Sequence, residues 1–174
     1  MKEQNNSISN LSVIGLRVQG YLSCSVNQLA GYKPGIRFAY GTCAGIILLG
    51  LIFQNVYFYY AGLALSFGGM LLPRQPLDYL YNGAIRHIYK KPAIPKRPPQ
   101  SRFACSIAFL WIGTALLCWY NGYYWIASAM AGALVMQAGI VTFTDVCFPS
   151  MIYNFFTKEA NKPPTGASVP HPTA

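Results

Sequence analysis

Four apolar runs, none interrupted by Asp, Glu, Lys, Arg or His, decide what this chain can fold into. They cover about 38–54, 56–72, 103–120 and 123–141. A transmembrane α-helix needs about 20 mainly apolar residues to cross the hydrocarbon core. Helices of a soluble bundle would need polar faces, and these runs have none. Composition agrees: 53% of the residues are hydrophobic and 10% are charged, against roughly 25% charged in an ordinary soluble domain. The excess apolar surface must therefore meet lipid. The 13 tyrosines suit a protein anchored at two membrane–water interfaces.

Between the first two runs lies Gln54-Asn55, and between the last two Asn121-Gly122. Both are turn signals too short for anything but a tight connection. The expected fold is thus all-α, an integral membrane four-helix bundle of two transmembrane hairpins. All thirteen Lys and Arg lie in 1–37, 74–102 or from 158 onward, and neither turn carries one. Because basic residues are retained on the cytoplasmic side, the turns should face out and both termini in. The first residues hold no compact apolar core before a cleavage site, so no signal peptide is expected.

The expected organisation is a cytoplasmic segment over 1–35, a four-span membrane domain over 36–157, and a disordered cytoplasmic tail over 158–174. The tail is rich in Pro, Ser and Thr. In the connector, Leu77, Leu80, Tyr81, Ala84, Ile85, Ile88 and Tyr89 recur at the spacing of one helical face. Residues 76–91 therefore read as an amphipathic helix on the inner leaflet. After it, 91–99 hold four prolines and form an extended spacer. A short amphipathic helix is expected again over 150–158, and a short interfacial helix within 11–29.

An internal repeat is visible. Arg37-Phe38-Ala39 opens the first hairpin and Arg102-Phe103-Ala104 the second. Each hairpin is followed by a proline and a Tyr-Asn pair: Pro76 with Tyr81-Asn82, and Pro149 with Tyr153-Asn154. Repeats that both start on one side are related by an axis along the membrane normal.

The net charge of +9 sits beside apolar runs, where Arg37, Arg74, Arg86, Lys90, Lys91 and Arg102 would meet anionic lipid headgroups. With no recognition motif, nucleic acid is not an expected partner. Small residues at four-residue spacing, Gly41 with Gly45, Gly62 with Ser66 and Ser128 with Gly132, let helices approach closely in lipid. Gln137, near the middle of the fourth run, reads as an interhelical hydrogen-bonding amide.

No span holds the ionisable residues that pumps and ion-coupled transporters need. Asp145 lies at the inner end of the fourth, in reach of Arg37 or Arg102 at the same depth. His87 and His171 are far apart, no Cys/His set has zinc spacing, and there is no phosphate loop or nucleophile elbow. No cofactor or metal is therefore expected. The chemical hint that remains is thiol: Cys147-Phe148-Pro149-Ser150 has the spacing of a CxxC pair with serine second, and Cys24 or Cys105 could partner Cys147.

These residues also carry a resemblance. The stretch from Cys24-Ser25-Val26-Asn27 to Phe156 resembles a bacterial membrane family known as the domain of unknown function 4395 family. The matching features are Arg37, Pro73-Arg74, the proline-rich connector into Ser101-Arg102-Phe103-Ala104, and Cys147 five residues before Ile152-Tyr153. The resemblance implies a four-span protein, and many members carry Cys-x-x-Cys before that Ile-Tyr. Cys147 matches the first cysteine; Ser150 stands at the second, which weakens a redox role.

Function thus divides three ways. The leading expectation is a non-catalytic membrane component, a scaffold or accessory subunit packing on another membrane protein or on itself in a bacterial inner membrane. The second is a membrane thiol or sulfur-handling protein using Cys147. The third, passive passage of a small neutral or apolar molecule, requires a cavity.

Overall fold

Ser9 starts the first helix, α1 (Asn10–Val18), by accepting the Ser12 amide at 3.3 Å. The computed structural model describes residues 9–22 and 24–157, and the expected tail, with His171, lies outside them. All regular structure among the described residues is helical.

α2 (Val26–Phe53) begins with a capping box: Ser25 accepts the Gln28 amide and Gln28 accepts the Ser25 amide. At 1.5 Å per residue its 28 residues reach about 42 Å, more than the ~30 Å hydrocarbon core. The apolar run at 38–54 is therefore only its second part. The first part, with Lys33, Pro34 and Arg37, projects beyond the apolar zone.

Gln54, in the left-handed conformation (φ 49°), ends α2, and Asn55 caps α3 (Val56–Leu71) by accepting the Tyr57 amide. Here the expectation over 56–72 needs refinement. α3 has 16 residues, about 24 Å, and the chain then bends by 84° into the connector. α2, α6 (Pro99–Tyr120) and α7 (Tyr124–Thr144) are each long and apolar enough to cross a membrane. α3 meets that length only together with its bent continuation.

The connector is helical, as its periodicity predicts, but in three pieces. α4 (Pro76–Leu80) runs through a π-helical turn (Tyr81–Ile85) into α5 (Arg86–Tyr89). Its buried face holds Leu77, Asp78 and Tyr81, whereas Leu80 and Ile88 point outward. Residues 91–98 form no helix or strand, and Pro98 at their end is extended. Gly122 (φ +80°) makes the second tight turn, and α8 (Phe148–Thr157) follows α7. Residues 11–29 hold most of α1 and the start of α2 rather than one helix.

The long helices pack in a ring: α2 on α3, α3 on α6, α6 on α7, and α7 back on α2. One end of the ring has the two turns, rimmed by exposed Tyr57, Tyr120, Tyr123, Tyr124 and Trp125. The other end holds α1, the connector, α8 and the charged side chains.

Matched residues of the repeat take matched roles. Phe38 lies 6.0 Å from Tyr81 and Phe103 5.4 Å from Tyr153, ring centre to ring centre. Arg37 donates to the Phe143 carbonyl at the end of α7, and Arg102 to the Met70 and Leu71 carbonyls at the end of α3. Each arginine thus caps the closing helix of the opposite hairpin, where a cation suits the helix dipole. Asn82 ties down the Ile94 backbone and Asn154 the Val18 carbonyl.

Candidate functional site

At the charged end a carboxylate is drawn fully inside. Pro76 and Asp78 sit in the first turn of α4, where an acid suits the helix N-terminus. Asp78 accepts the Gln75 amide at 3.0 Å. The spacer brings Arg97 across, fixed by its own amide to the Pro73 carbonyl at 2.9 Å. The guanidinium then forks onto both carboxylate oxygens, at 2.6 and 2.7 Å. Its remaining arm reaches Ser101 Oγ at 3.2 Å, Ser101 meets the Tyr40 hydroxyl at 3.2 Å, and the Tyr40 ring lies 5.1 Å from the guanidinium carbon. Asp78, Arg97 and Ser101 are all buried. Burial works against the charge on Arg97, but hydrogen bonds and charge from Asp78 outweigh it and hold the guanidinium protonated.

Next to this pair is a cavity of about 340 Å³, walled by the four ring helices and the start of α8. Three cysteines from separate elements face it: Cys43 on α2, Cys105 on α6, and Cys147 just before α8. Among the described residues, no Asp, Glu, Lys, Arg or His belongs to its wall. Gln75 crosses into it, donating from Nε2 to Cys43 Sγ at 3.2 Å, while Oε1 is buried without a hydrogen-bond partner. Gln137 also lines it, and its buried Nε2 likewise has no hydrogen-bond partner. Burial pushes the Cys147 thiol up, only partly offset by hydrogen bonding from Ser150. A thiol so held is protonated at neutral pH and a poor nucleophile.

A second ionic cluster closes α7. Asp145 is 1% exposed and left-handed (φ 62°); Arg37 grips both its oxygens at 2.9 Å, and Lys33 stands 3.5 Å away. Gln19 donates to the Asp145 carbonyl at 2.7 Å. Gly15 lets α1 lie on that same carbonyl, with no room for a Cβ. Of the two arginines at this depth, Arg37 rather than Arg102 is thus the partner of Asp145.

The structure brings Cys147 and Cys105 into one cavity and leaves Cys24 elsewhere, packed near Leu16 and Tyr21. Gly62 lies at a close helix contact, with no room for a Cβ beside Ile47; Ser66 is buried in the cavity wall, and a Cβ at Gly41 would just reach Thr142. Ser128 is half-buried, while Gly45 and Gly132 border open space. Of the basic residues read as headgroup contacts, Arg37 and Arg102 are engaged within the protein. Arg86 donates to His87, and Arg74 Nε is buried without a partner. Lys90 is exposed at the end of α5 and Lys91 is half-buried. Among the described residues, no group of three His, Cys, Asp or Glu is placed to hold a metal.

Sequence reasoning passed over Asp78, Arg97, Gln75 and Cys43. One signal was there: the chain has four acidic residues, so an acid beside a membrane span is costly and should have a partner.

Residues 33–158 match the family model described as Domain of unknown function (DUF4395). The chain belongs to that family. No curated protein and no solved structure matches it.

Proposed function

We propose that this protein is a non-catalytic component of a bacterial cytoplasmic membrane, a scaffold or accessory subunit that crosses the bilayer four times with both termini inside. The observation that carries this reading is where its ionic side chains are spent. Asp78 and Asp145 are both neutralised by internal arginines, and Arg102 caps α3. These groups hold the fold together and are not free for proton transfer. The outer faces of the long helices expose Leu49, Ile52, Phe67, Leu110, Leu117 and Met136, a surface suited to lipid or to another membrane protein. The gathering of charge at one end of the ring supports the orientation, and exposed Phe155 and Phe156 on α8 suit the inner interface.

Gentle detergent extraction at native expression level, followed by mass spectrometry, tests this reading. Stoichiometric recovery of a second membrane protein, or a stable homo-oligomer, is the expected outcome. A strictly monomeric protein that brings nothing with it would sink the proposal.

A thiol-handling role is favoured by one observation, the convergence of Cys43, Cys105 and Cys147 on a single cavity. Alkylating intact membranes with a permeant maleimide separates the two readings. The scaffold reading expects Cys147 to react no faster than Cys118, because burial keeps its thiol protonated. Faster modification of Cys147 than of Cys118 would transfer the weight to sulfur chemistry.

A further inference from the structure

We infer that the cavity between α2, α3, α6 and α7 is a binding site for a small neutral molecule, mostly apolar, with one head group that both donates and accepts hydrogen bonds. At about 340 Å³ it falls within the range of roughly 300–1,000 Å³ that small-molecule pockets occupy. Its wall is mainly Ala, Ile, Leu, Val, Trp, Phe and Pro side chains with three thiols, and its other polar side chains are Tyr40, Ser66 and the two glutamines, so most of the occupant is apolar.

The charge of the occupant follows from what surrounds it. Among the described residues, no ionised side chain lines the cavity. The adjacent guanidinium of Arg97 is already committed to both oxygens of Asp78 and to Ser101. An ion entering here would be desolvated without a counter-charge, which is strongly unfavourable. The occupant is therefore neutral.

Its polar head follows from two amides. Gln75 is 3% exposed, and its Oε1 accepts nothing. Gln137 offers a buried Nε2 that donates to nothing. Folded proteins rarely keep such groups unpaired, because each then carries its full desolvation cost. An acceptor and a donor facing one apolar chamber call for a hydroxyl- or amide-like head. A lipid acyl chain would fill the same volume and leave both amides unsatisfied. This site goes beyond the scaffold reading and does not depend on it.

The test uses the full chain in lipid nanodiscs with Trp119→Phe and Trp125→Phe, which leaves Trp111, in the cavity wall, as the lone indole. Two brominated quenchers are compared: 4-bromophenol, which has a hydroxyl head, and bromobenzene, which has none. Quenching by 4-bromophenol should saturate. Gln75→Leu, of similar size, should weaken that binding about fivefold, as expected for one lost hydrogen bond, without weakening bromobenzene. Ala108→Phe, which fills the chamber from α6, should remove the saturable component. Quenching that rises linearly with probe per lipid and ignores both substitutions would overturn the inference. So would saturable quenching that Gln75→Leu leaves unchanged, since the amide would then recognise nothing and acyl chains would fill the space.

Discussion

Replacing Arg97 with methionine should destabilise the folded protein by about 3–5 kcal/mol, the usual cost of leaving one member of a buried ion pair uncompensated. Asp78 is fully buried and receives two of its hydrogen bonds from this one side chain. Without the guanidinium, the carboxylate keeps only the Gln75 amide, and Ser101 loses the bond it accepts. The backbone bond from residue 97 to the Pro73 carbonyl survives, so the spacer can stay in place and the loss falls on the ion pair. The double variant Asp78→Leu with Arg97→Met should recover most of the stability, because two apolar side chains of similar volume need no counter-charge. Titration with SDS in mixed micelles, read by helical circular dichroism, measures both. A loss below about 1 kcal/mol for Arg97→Met would falsify the view that this pair organises the charged end.

That pair also marks the limit of what the chain's sequence reveals. The apolar runs were legible because a helix in lipid has no other way to satisfy its backbone. α6 and α7 accordingly start and stop within a few residues of the expected bounds. The tight turns were legible because Asn and Gly have turn chemistry of their own. The early start of α2 was half legible: Ser25 and Gln28 form a capping-box pattern, but the polar and proline-containing stretch to Arg37 hides the continuity of the helix. Asp78 and Arg97 lie 19 residues apart, separated by a π-helical turn and most of the proline-rich spacer that holds Arg97. No periodicity links such positions, so each alone reads as a solvated connector charge. The cavity is less legible still. Cys43, Cys105, Cys147, Gln75 and Gln137 come from five stretches of chain, and only the closing of the ring makes them neighbours.

The repeat was legible as a pair of short motifs, and its energetics should prove unequal. Arg37 and Arg102 occupy equivalent places and both cap a helix of the opposite hairpin. Only Arg37 also meets a buried carboxylate, since the chain after α7 supplies Asp145 and the chain after α3 bends away through Leu72 and Pro73. Arg37→Met should therefore cost about 2–4 kcal/mol, somewhat less than at Arg97 because Lys33 still stands beside Asp145. Arg102→Met should cost about 1 kcal/mol, because its carbonyl partners lie at an exposed helix end that water or headgroups can reach. The same SDS titration gives both values, and Asp145→Asn completes a double-mutant cycle with Arg37→Met. Equal losses at the two arginines, with no coupling in the cycle, would mean that Asp145 adds nothing to the carbonyl cap they share. A large coupling confined to Arg37 would make the junction of α1, α2 and α7 the fixed side of the ring. The α3–α6 side, where Arg102 meets carbonyls and the rest is ring packing and the Tyr60–Tyr120 hydroxyl pair, has no ionic tie among the described residues and would then be where the cavity has freedom to open.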